Sequence, residues 1–79
     1  MTIYRIDIRH QGKLLGHFES ATPWSLQAAR QVAATLDAAG GYQLDVQVAR
    51  EERRLIESGP AGMRLVSSEP LFVAATLDA

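Results

Sequence analysis

The hydrophobic period of the chain switches at Gly40-Gly41, and that switch restricts what it can fold into. Before the glycines, Ala28, Ala29, Val32, Ala33 and Leu36 recur at three- and four-residue spacing, with Gln27, Arg30, Gln31, Thr35 and Asp37 between them. After them, Tyr42, Leu44, Val46 and Val48 alternate with Gln43, Asp45 and Gln47. The first spacing lines one stripe of a helix and the second lines one face of a strand. A helix is therefore predicted over residues 22–39, with Thr22 as N-cap, Pro23 as first helical residue and Gly40-Gly41 as the left-handed end. Its stripe is rich in alanine, so it can lie close to a sheet. A strand is predicted over 42–49, in a central position.

The amino-terminal third alternates as well. Tyr4, Ile6 and Ile8 share one face, opposite Ile3, Arg5, Asp7 and Arg9; a second run over 13–20 sets Leu14, Gly16 and Phe18 against Leu15, His17 and Glu19. These runs read as a hairpin. A two-residue Gln11-Gly12 loop would set Ile6 opposite His17, whereas a three-residue loop, His10-Gln11-Gly12, pairs Ile8 with Leu14 and Tyr4 with Phe18. The longer loop is the expectation.

Residues 50–58, REERRLIES, have helix propensity, yet Leu55-Ile56 between charges also suits a short strand after a turn, which is the reading adopted. Gly59-Pro60-Ala61-Gly62 is a turn by its chemistry, residues 63–68 form a last strand, and Pro70 is expected to end regular pairing. The fold class that follows is α+β: an antiparallel sheet of four to five strands, in the order ββαββ(β), with one helix packed on one face and the other face polar.

With 79 residues, the chain has room for one core, so residues 1–79 are read as a single domain. The absence of cysteine excludes disulfides, thiolate metal sites and a thiol nucleophile. Eight basic and nine acidic side chains leave no positive field of the kind that drives phosphate binding, so nucleic acid is an unfavoured partner. The opening residues alternate and lack the unbroken apolar stretch of an export signal, and the apolar run at 71–77 is too short to span a bilayer. A cytoplasmic location away from membranes is expected.

Several side chains stand out against this background. The uncovered sheet face would present Arg5, Asp7, Arg9, His17, Glu19, Gln43, Asp45 and Gln47 together, a candidate binding surface centred on Arg5, Asp7, His17, Glu19 and Asp45, or an ordinary solvated face with cross-strand charge pairs. His10, His17 and Glu19 do not have the spacing of a metal site, and Asp7 with His17, beside Ser20 or Ser25, lacks the pocket and oxyanion donors of acyl transfer. Neither metal, cofactor nor catalytic residue is assigned. Arg50, Arg53, Arg54 and Arg64 are the candidate nucleic-acid contacts, offset by Glu51, Glu52 and Glu57 and without outward aromatics for base stacking. Trp24 is a candidate interface residue or a cap on the core edge.

The terminal stretch 71–79 is apolar where a tail is normally polar, so something must cover it. Leu71, Phe72 and Leu77 are candidate interface residues with a second subunit; alternatively the tail closes its own core as an edge strand or short helix. The heptapeptide VAATLDA occurs at 32–38 and again at 73–79, with non-matching flanks, so it is no domain repeat. The tail is expected to be able to take up the helical conformation of the first copy.

The segments YRIDIRHQGKLLGHFES and EERRLIESGPAGMRLVSSEPLF resemble those of small bacterial cytosolic proteins of the pseudomonad type, over nearly the whole chain. The resemblance carries no catalytic motif and no named activity, and transfers no site residues. The function expected is a non-catalytic binding or assembly module, with itself as a homodimer or another protein as partner; the alternative is an RNA- or DNA-binding regulator using the region 50–64.

Overall fold

A computed structural model describes residues 1–77 of the chain. In chain order it forms β1 (Ile3–His10), β2 (Lys13–Ser20), α1 (Ser25–Ala39), β3 (Tyr42–Gly59) and β4 (Gly62–Ala74). The strands make one antiparallel sheet in the order β2-β1-β3-β4. There are four strands, not five, because the segment expected to turn away near residue 50 continues β3 without a break.

The tight turn rejected on register is the one adopted. His10 pairs with Lys13, and Gln11 (φ 54°) and Gly12 (φ 76°) both take the left-handed conformation of a two-residue hairpin loop. His10 is accordingly a strand residue and not part of a three-residue loop. The register is rescued by a bulge: Arg9 pairs with Leu14, Ile8 with Gly16, and Leu15 is the extra residue. From there Ile6 faces Phe18 and Tyr4 faces Ser20, in place of the expected Ile8–Leu14 and Tyr4–Phe18 pairs.

The helix begins two residues later than Thr22-Pro23 suggested. Trp24 occupies the N-cap position without a side-chain cap, and the Ser25 amide donates to the Thr22 carbonyl at 3.1 Å. The Thr22 hydroxyl is paired with that of Ser20 (3.0 Å), while the Ser25 hydroxyl donates to the Thr2 carbonyl (3.1 Å) and ties the helix start to the head of β1. At the other end Gly40 donates to the Leu36 carbonyl, and Gly40 and Gly41 both have positive φ, as their place at the reversal required.

The core lies between α1 and one sheet face. Tyr4, Ile6, Ala29 and Val48 are its buried centre; Ile8, Phe18, Leu26, Val32, Ala33, Leu44 and Val46 pack around them. Ala29 sits at the contact of helix and sheet with no accessible surface, so the absence of a longer side chain is what brings the two together. The chain end closes the same core. Val73 pairs with Val48, the Ala75 amide donates to the Val46 carbonyl (2.9 Å), and Arg30 Nε donates to the Leu77 carbonyl (2.8 Å), with Ala75 and Leu77 against the core. Pro70 does not end the pairing: it lies opposite Glu52 on the edge strand, where a proline is tolerated. The second VAATLDA is thus strand and then irregular chain over 73–77, unlike its helical first copy, and residues 78 and 79 lie outside the described residues.

β3 and β4 run on far past the other strands. From residue 51 to residue 71 they pair only with each other and every residue is exposed, forming a two-stranded arm that stretches the molecule to 57 × 27 × 16 Å. Because Ile6 is fully buried where β1, β3 and α1 meet, Ile6→Ala is expected to cost about 3 kcal/mol in urea unfolding and Ile6→Val about 1 kcal/mol. Costs below about 0.5 kcal/mol for both would mean that packing at this point does not hold the body together.

Candidate functional site

Two surfaces carry the candidate residues: the outer sheet face and the arm. On the outer face the register brings Arg5, Asp7, His17, Glu19 and Asp45 together, since Arg5 pairs with Glu19 and Gln47, and Asp7 with His17 and Asp45. Arg5 donates through Nε and Nη2 to Glu19 Oε1 at 3.1 and 2.8 Å, and its guanidinium lies 4.1 Å from the centre of the Phe72 ring. The opposed carboxylates of Asp7 and Asp45 are moderated from the sides: Gln47 Nε2 donates to Asp7 Oδ2 (2.9 Å), and Arg9 Nε approaches Asp45 Oδ2 (3.6 Å). Arg5 with Glu19 and Arg9 with Asp45 are thereby paired within the face, while Asp7 is held by a neutral amide.

The groupings considered for chemistry do not assemble. His10 packs against Tyr42, ring centres 4.9 Å apart and planes tilted by 38°, on the face opposite His17, and Glu19 is held by Arg5. Ser20 and Ser25 are buried on the helix side with partners of their own, across the sheet from the Asp7–His17 pair. Among the described residues no three His, Cys, Asp or Glu side chains converge as metal ligands, and no helix is long and apolar enough to cross a membrane.

The arm has two unlike faces. One carries Glu52, Arg54, Ile56 and Ser58 from β3, opposite Pro70, Ser68, Leu65 and Met63 from β4; the other carries Glu51, Arg53, Leu55 and Glu57 opposite Leu71, Glu69, Ser67 and Arg64. Charges alternate in sign across the strands of the second face, and Arg64 Nη2 donates to Glu57 Oε2 at 2.9 Å. On the first face Arg54 Nε donates to Glu52 Oε1 (2.8 Å), and the Ser68 hydroxyl donates to the other oxygen of the same carboxylate. Arg54 and Arg64 therefore spend their charge inside the ribbon. Arg50 stands at the arm's root and Arg53 opposite Glu69, so the four arginines share no phosphate-sized cluster.

The apolar side chains of the arm have no such partners. Met63 is 74% exposed, and Leu55, Ile56, Leu65 and Val66 are each about half exposed. At the root of the arm, Met1, Ile3, Ala49, Glu52, Ser68 and Pro70 border a cavity of about 580 Å³ on the outer side of the sheet. A second, apolar hollow of about 530 Å³ lies between α1 and the β1–β2 hairpin, walled by Ile8, Phe18, Val32 and Leu36.

The interface residues read from the sequence part company. Trp24 is 60% exposed at the helix start, Leu71 is half exposed at the arm's root, Phe72 lies under Arg5, and Leu77 is packed against the chain's own core. Ile56, Met63 and Leu65 were missed as surface residues because alternation in a strand signals burial. The charges interrupting it over 50–57 were the available sign that no core lay beneath. No family model, curated protein or solved structure matches the chain.

Hydrogen bonds from Ser68 and Arg54 hold the Glu52 carboxyl below its ordinary pKa. A depressed folded-state pKa stabilises the arm above the unfolded-state value and loses that contribution as pH falls through the folded-state value. Protection of the arm amides, taken relative to the intrinsic exchange rate at each pH, is therefore expected to fall as the pH drops below the usual carboxylate range, before that of the body. Glu52→Gln should abolish that step; an unchanged acid profile in the variant would exclude this carboxylate as the clasp.

Proposed function

We propose that the protein is a non-catalytic assembly module that engages a protein surface through the β3–β4 arm. The observation that carries this reading is the arm itself: some twenty consecutive residues without cover, bearing Leu55, Ile56, Met63, Leu65 and Val66. An isolated two-stranded ribbon is marginal in water, and apolar side chains grouped on a projecting element mark a contact surface. A ribbon also reaches into a partner farther than a flat sheet face, and its free backbone edges add specificity of register.

Nucleic acid is the weaker reading. Between residues 50 and 70 the chain has four arginines and four glutamates, and the two shortest ion pairs of the arm neutralise Arg54 and Arg64. Backbone phosphates are bound by uncompensated charge.

The bonds following Arg53, Arg54 and Arg64 make the arm a substrate for trypsin when it is free. Cleavage there is expected to slow markedly in concentrated purified protein or in extract of the native cell, relative to dilute protein in buffer. Equally rapid cleavage in all three would overturn engagement of the arm.

A further inference from the structure

Resting on the assembly reading, we infer that the arm's partner is a second copy of the chain. The two arms lie antiparallel, face to face through Ile56, Met63 and Leu65, and the tip of each enters the cavity at the root of the other.

The face is its own complement in this arrangement and in no parallel one. From tip to root its cross-strand rows are Ser58 with Met63, Ile56 with Leu65, Arg54 with Ser68, and Glu52 with Pro70. All its charge is in the root half; residues 58–63 carry none. A two-fold axis through the Ile56–Leu65 row lays the uncharged half of each arm on the charged half of the other. Apolar side chains then meet at the centre, and Met63 meets Ser68 and the stem of Arg54. Parallel stacking would instead bring Glu52 and Arg54 close to their own copies, a like-charge juxtaposition that costs affinity. The arm carries three arginines and four glutamates over residues 51–71, a net charge of only −1, so long-range repulsion between two arms is slight.

Area points the same way. The arm pairs residues 51–59 with 62–71, so one face is about 30 Å long and about 10 Å wide, a footprint of about 300 Å². Stable interfaces take about 800 Å² from each partner, so the ribbon alone falls short and the partner must also touch the body. Antiparallel alignment provides that contact, because it carries each tip to the other copy's root. There a cavity of about 580 Å³ on the outer side of the sheet, bordered by Ile3, Ala49 and Pro70 together with Arg50, Glu51, Glu52 and Arg54, receives the uncharged Gly59–Gly62 turn. The arrangement closes on itself, giving a dimer and not a fibre.

The native chain has no cysteine, so single-cysteine variants report unambiguously. Light scattering of the full chain should give a dimer, and Leu65→Asp should raise its dissociation constant by at least about 30-fold with the body still folded by circular dichroism. Mixing a Met63→Cys chain with a Ser68→Cys chain and adding a short bismaleimide should trap a mixed dimer, in preference to either variant linked to itself. A dimer in which Met63→Cys links efficiently to itself would overturn the antiparallel arrangement, as would a dimer untouched by Leu65→Asp. A full chain that stays monomeric at every concentration would overturn self-pairing; trypsin protection in native extract would then leave the arm as a contact for a different protein.

Discussion

The pairing of β1 with β3 is the reference to which the rest of the molecule adjusts. Eight residue pairs, from Ile3 with Ala49 to His10 with Tyr42, follow one another without irregularity, whereas the β1–β2 and β3–β4 pairings each contain bulges. The regular ladder sets Tyr4, Ile6, Val46 and Val48 on one side, and α1 can approach because Ala29 lies at the crossing. Deviations are confined to the flanks. Leu15 is the residue by which β2 comes into step, and the doubled Ala49-Arg50 is where β3 leaves the body for the arm.

Body and arm are stabilised by different means. In the body, burial of a few large side chains beneath a helix supplies the hydrophobic term, and the chain end adds Leu77 and the Arg30 hydrogen bond. The arm has backbone pairing and cross-strand contacts such as Arg64 with Glu57, each contributing about 0.2–1 kcal/mol, to set against an ordering cost of about 1–2 kcal/mol for each backbone residue. It therefore belongs to the part of the molecule that opens locally at low cost. A surface that becomes ordered on contact suits an element whose role is to find a partner.

What could be read from residues alone follows the range over which each signal acts. The stripe of α1, the alternation over 42–49 and the Gly40-Gly41 reversal are local and appeared as expected. The grouping of Arg5, Asp7, His17, Glu19 and Asp45 was also legible, because strand parity and the neighbourhood of β1 and β3 suffice to give it. The hairpin loop was misjudged because its evidence, a register that seemed to fail, is corrected by a bulge several residues away. The helix start was misplaced because the Thr22 hydroxyl found Ser20 instead of a helix amide. VAATLDA makes the limit plain: identical residues are helical at 32–38, where Ala33 can lie on the sheet, and extended at 73–74, where β3 offers an edge. The arm was hidden for a related reason, since its apolar residues read as strand residues and, apart from the charges over 50–57, only the missing neighbours distinguish it from a core strand.

The two bulges of the β3–β4 pair have opposite senses. β3 carries one extra residue at 49–50 and β4 carries one at Val66, so the offset introduced at the root is cancelled before the turn. The ribbon between them keeps a register of its own, bounded like a section of ruler between two stops. Removing one residue from each strand of that section would shorten its reach by about 3.3 Å and turn the tip over, so that Met63 faced the opposite way. Removing two from each would shorten it by about 7 Å and restore the original facing. Reach and orientation are thus geared together in whole steps, and lineages that lengthen or trim the arm can keep the same face forward only by changing it two rows at a time.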